Sequence, residues 1–165
     1  MKAKNESLNH FDEDGKAIMV DVGDKPASER EATASCYVRM LPETLAMIEQ
    51  GKSSKGDVLG VARIAGIQGA KRCPDLIPLC HPLPLNAVAI RFFIDSQLNQ
   101  IKIEAVCKVS GKTGVEMEAM CAVSIAALTV YDMCKSVDRG MSISEITLEA
   151  KSGGKTGTWI KEKHD

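Results

Sequence analysis

The order of elements legible in this chain predicts an α+β fold. It is a ferredoxin-like split βαβ plait with a four-stranded antiparallel sheet, helices on one face and one extra helix. Three observations carry the prediction: an alternating strand from Ala32, a two-strand hairpin between Asn86 and Val109, and a long apolar helix followed by a last strand. The chain has 165 residues, 44% hydrophobic and 26% charged, which suits one globular domain with a real core.

Taken in order, residues 1–30 are polar and carry Gly15, Gly23 and Pro26. Only Ala17 to Val20 offers an apolar patch, so this stretch is expected to be a flexible arm, mobile or ordered by a ligand or partner. A single domain is expected over 31–158 and a short tail over 159–165. Ala32, Ala34, Cys36, Val38 and Met40 alternate with polar residues at the period of a half-buried strand. Leu41-Pro42-Glu43-Thr44 reads as a helix start, with proline tolerated in the first turn and Gly51 as a stop. A second helix is expected from Asp57 to Lys71; its glycines weaken its propensity, so close packing must hold it. The segment Cys73 to Pro84 has four prolines and is expected to be a stiff loop, neither helix nor central strand. Asn86–Ile94 and Ile101–Val109 read as strands joined across Asp95 to Gln100. A helix is then expected from Val115 to Val137, a strand from Ser142 to Ala150, and loop beyond it.

Composition narrows the function classes. The net charge is -1 and aromatic residues are 4%, which disfavours a nucleic-acid surface or a base-stacking platform. The six cysteines form no C-x-x-C pair, pointing to reduced thiols in a cytoplasmic protein and to no zinc site. The apolar stretch Ala119 to Tyr131 is bracketed by charge and reads as too short for a bilayer.

The long helix carries most of the candidate chemistry. It is apolar on almost every side, so it needs cover beyond the sheet, and a second subunit could supply it. Asp132 and Lys135 are three apart on one face, where a carboxylate and an amine can move protons in opposite directions; a surface ion pair would read the same way. Glu116 and Glu118 suit the dipole of a helix start, and Glu118 equally suits a ligand's amide or amino groups. Glu118 and Asp132 stand fourteen residues apart, about 21 Å along the axis. One small substrate meets both only if it is long or if the site uses two chains. Cys80-His81 invites a thiol nucleophile or a metal pair, but neighbours in an extended loop diverge; His81 gripping a ligand, or simply hydrogen-bonded in its loop, are the stronger readings. Lys52, Lys55, Lys112, Lys151 and Lys155 cluster near glycines, as in a polyphosphate site or a solvated surface. Ser152-Gly153-Gly154-Lys155-Thr156 lacks the first glycine and following helix of a P-loop.

Several strings together resemble one family, the molybdenum cofactor biosynthesis protein C family. They are Met19-Val20-Asp21-Val22, Gly56-Asp57-Val58-Leu59, Ile77 to Leu83, Thr113 to Ala119, Tyr131-Asp132-Met133-Cys134-Lys135, and Lys151 to Lys155. The resemblance implies the same plait, assembled as a hexamer of three dimers. It implies conversion of 3′,8-cyclo-7,8-dihydroguanosine triphosphate to cyclic pyranopterin monophosphate with release of pyrophosphate. Asp132 would be catalytic with Lys135 beside it and Lys55 as a further active-site residue; Leu79, Cys80, His81, Met117 and Glu118 would bind substrate. No redox cofactor is implied, and a divalent ion can accompany the triphosphate without a carboxylate cage of its own. Two rivals remain at this point: an oligomeric anion-sensing plait, and an enzyme that uses Cys80 as nucleophile.

Overall fold

The computed structural model describes residues 10–162 apart from 54 and 156. The first nine residues of the expected arm and the last three of the tail lie outside them. The elements are β1 (Ser28–Arg39), α1 (Pro42–Glu49), α2 (Val58–Lys71), α3 (Cys73–Leu76), β2 (Ala87–Asp95), β3 (Gln100–Gly111), α4 (Glu116–Cys134), β4 (Ser142–Ser152) and β5 (Trp159–Ile160).

The sheet order is β2-β3-β1-β4-β5, antiparallel throughout, with the split βαβ connection of the plait. The register explains the alternation. Ala32, Ala34, Cys36 and Val38 sit opposite Cys107, Ala105, Ile103 and Ile101, and all eight are buried. They face α4, where the Cys36 thiol donates to the Val123 carbonyl at 3.5 Å. Burial pushes the Cys36 and Cys107 thiols up to about 12, with the nearby Glu118 charge adding to the effect at Cys107, so both behave as small apolar core residues.

Two expectations about the order of elements need correction. The sheet has five strands, not four: Trp159 pairs with Lys151 and Ile160 with Ala150, beyond the loop that follows β4. Two exposed residues carry no periodicity, so nothing local announced the strand. The proline segment also opens with a helical turn, α3, with Pro74 in its first turn, where no amide donor is required. The rest of the segment, Ile77 to Pro84, is irregular, as expected.

α2 lies against α4 so closely that side chains are excluded. A Cβ at Gly66 would stand 2.8 Å from the Ala122 carbonyl oxygen, and one at Gly69 would stand 2.8 Å from Ile125. The cover that α4 needs on its second side is therefore supplied largely by α2 of the same chain. By length and composition α4 does suffice to cross a bilayer, contrary to expectation: its most apolar 18-residue window has mean hydropathy 1.4. Yet 56% of that window is buried inside the domain, which makes α4 the central core helix. Its C-terminal end is tied down by Asp138, 4% exposed, which accepts from the Leu41 amide at 2.8 Å and the Thr44 hydroxyl at 3.2 Å. One carboxylate thus ties the start of α1 to the turn after α4.

Candidate active site

Two adjoining cavities open at the N-terminal end of α4. The first, about 330 Å³, is walled by Leu79, Cys80 and His81 from the proline segment and by Met117 and Glu118 from the first turn of α4. His10, Val20 and Val22 of the arm complete it. Five residues expected to bind substrate are therefore brought together by two elements distant in sequence. Prolines stiffen one wall by fixing their own dihedrals; the helix start supplies the other.

Glu118 is 3% exposed. Burial raises its carboxyl above the ordinary carboxylate range and the charge of Glu116 adds to this, against hydrogen bonds from backbone and the Cys73 thiol. A buried carboxyl of this kind gains most from a ligand bearing N–H donors. Burial also pushes the Cys80 thiol up, away from the thiolate a nucleophile needs. His81 is not paired with it either, because His81 Nε2–H donates to the Val20 carbonyl at 2.8 Å.

The second cavity, about 490 Å³, is lined by Lys25, Arg30, Lys112, Lys151 and Lys155, with Glu116 as its one acidic side chain. Glu116 accepts from Lys151 Nζ at 2.8 Å, which leaves the lining strongly positive. Arg30 clasps the loop before α4, donating from Nε to the Gly111 carbonyl at 3.0 Å and from a terminal nitrogen to the Lys112 carbonyl at 3.2 Å. Gly153 and Gly154 turn the chain away at the end of β4 with φ of +94° and +71°. A side chain at either would strike Glu29 or the Arg30 guanidinium. Lys25, Thr113, Gly114 and Glu116 line both cavities, so the two form one trough beside the N-terminus of α4.

Of the lysines singled out by their glycine neighbours, the trough gathers Lys112, Lys151 and Lys155. Lys25, Arg30 and His10 were not foreseen. They lie in or beside a stretch that reads as polar arm, and only the Met19–Val22 string, through its resemblance, marked that region.

Asp132, Lys135 and Lys55 stand at the other end of α4. Lys135 Nζ meets Asp132 Oδ1 at 2.6 Å, and Lys55 Nζ donates to the Asp132 backbone carbonyl at 2.9 Å. Lys55 arrives from the loop before α2, beside the Asp57 that caps that helix by accepting from the Gly60 amide at 2.8 Å. Lys135, then Lys55, holds the Asp132 carboxyl below the usual range, while Asp132 pushes Lys135 up. Asp132 is thus in the form that accepts a proton and Lys135 in the form that gives one. Both side chains are more than half exposed in the single chain. The axial spacing of about 21 Å separates this triad from Glu118, so one chain does not unite all eight expected site residues.

A model of the MoaC family matches residues 19–154, which take in the triad, α4 and all of the trough but His10 and Lys155. A curated relative from Dinoroseobacter shibae, a cyclic pyranopterin monophosphate synthase, is 58% identical over 155 residues, which cover 94% of this chain and 98% of the relative. On that extent and identity, the chain belongs to the MoaC family.

Proposed function

We propose that the chain is a lyase of molybdenum cofactor biosynthesis. It takes 3′,8-cyclo-7,8-dihydroguanosine triphosphate to cyclic pyranopterin monophosphate and releases pyrophosphate. The observation that carries this reading is the two-part trough: a buried carboxylate opposite a stiff Leu79–His81 wall, continuous with five cationic side chains. The first part suits the amide and amino groups of a purine-derived ring, the second a triphosphate. A relative 58% identical bears the name of this activity.

Ring opening and pyran closure need successive proton transfers, and forming the cyclic phosphate expels pyrophosphate. Ionised Asp132 serves as the base and the Lys135 ammonium as the acid, with Lys55 fixing the pair through the Asp132 carbonyl. The lysines and Arg30 of the trough stabilise charge on the departing pyrophosphate. Any divalent ion arrives on the triphosphate as part of the substrate.

Because the triad and the trough occupy opposite ends of α4, the working site is formed between copies. The triad of one chain closes over the trough of another in a hexamer of three dimers. Packing there also desolvates the exposed ion pair, which strengthens its pull on the substrate. Such an enzyme acts in the cytoplasm.

The test is direct. Purified protein incubated with the cyclised nucleotide should release pyrophosphate, and Asp132→Asn should lower kcat by at least about 100-fold while the nucleotide still binds. Binding without turnover by the unaltered protein would mark an anion sensor instead. Turnover by Asp132→Asn near the unaltered rate would remove Asp132 from the chemistry.

A further inference from the structure

The Met19–Val22 string takes no part in the chemistry above, yet the backbone of the string and of the Gly23 that follows it reaches both parts of the trough. The Val20 carbonyl accepts from His81 Nε2 at 2.8 Å, and the Gly23 carbonyl accepts from Lys112 Nζ at 2.6 Å. Between these two acceptors, Asp21 Oδ1 accepts from the Gly23 amide at 2.7 Å, closing an Asx turn. A Cβ at position 23 would stand 3.1 Å from that oxygen, so the turn favours the residue that has none. A carbonyl only accepts, so His81 carries its proton on Nε2, and in the neutral ring Nδ1 keeps the lone pair.

We infer that Asp21 is a positioning residue: its turn aims two backbone carbonyls, one at His81 in the carboxylate part of the trough and one at Lys112 in the cationic part. The arm therefore fixes the His81 ring and the Lys112 ammonium before a ligand arrives. Both side chains would otherwise sample several rotamers, and ordering them would weaken binding. The substrate in this inference rests on the function proposed above; the turn and its two contacts do not.

The experiment compares the full chain with Asp21→Ala and Asp21→Asn. An asparagine oxygen can accept the same amide bond, whereas alanine cannot. Pyrophosphate release from the cyclised nucleotide should show KM raised about fivefold in Asp21→Ala, the loss expected for one such hydrogen bond, with kcat held within about twofold. Asp21→Asn should restore KM. Without nucleotide, the His81 Nε2–H proton should be protected from solvent exchange by imidazole NMR in the unaltered chain and in Asp21→Asn, and lost to exchange in Asp21→Ala. An Asp21→Ala chain with unchanged KM and a protected Nε2–H overturns the inference, as does Asp21→Asn behaving like alanine. If the unaltered chain releases no pyrophosphate, the proposed function fails, and the imidazole signal alone decides the role of Asp21.

Discussion

Two carboxylates on one helix are driven in opposite directions. Glu118 is buried and its carboxyl is raised, chiefly by desolvation; Asp132 is exposed and lowered, chiefly by Lys135. For Glu118 the folded pKa exceeds the unfolded one, so ionisation opposes folding. That opposition is absent below the unfolded pKa and complete above the folded one. Glu118→Gln should therefore melt higher than the unaltered chain at neutral pH, with the gap closing as pH falls from the raised folded pKa to the ordinary carboxylate value below it. Calorimetry across pH checks the sign, and the same variant should bind nucleotide more weakly. For Asp132 the expectation is spectroscopic. Its side-chain carboxyl should titrate below ordinary aspartates by carbon NMR and climb towards them in Lys135→Gln.

The α2–α4 contact depends on two missing side chains. Alanine normally improves a helix by about 1 kcal/mol over glycine. At Gly66 the added methyl meets the Ala122 carbonyl, a backbone atom that cannot step aside. Gly66→Ala should thus lose stability, by about 1–3 kcal/mol, measured as a lower urea midpoint at fixed protein concentration. The glycines of α2 showed in the sequence as a propensity deficit that only packing could offset, and that inference points directly to the contact. β1, β3 and α4 were equally legible, because Ala32 to Val38 and Ile101 to Val109 each present one apolar face to the same helix. β5, α3 and two members of the cationic cavity, Lys25 and Arg30, were not. Trp159–Ile160 is too short to show a period, and Pro74 conceals a helical turn in which it is well tolerated. Glycine neighbours marked Lys112, Lys151 and Lys155, but their meeting with Lys25 of the arm and Arg30 of β1 is written in strand register and in no local pattern.

Across the molecule, the length of α4 sets what a single copy can do. An Asp132→Asn chain retains an intact trough, and a Glu118→Gln chain retains an intact triad. Neither should turn over nucleotide well alone. Co-assembled by mixing and refolding, or by co-expression, they should regain activity from sites that draw one unaltered half from each copy. If the mixture is no more active than its components, the site does not span copies. The fifth strand has a practical consequence as well. Trp159 is the chain's sole tryptophan, it is 43% exposed, and it pairs in register with Lys151, whose ammonium reaches the cationic cavity. The protein therefore carries a built-in fluorophore one strand away from where phosphates would dock, and its emission offers a label-free optical readout of an occupied site.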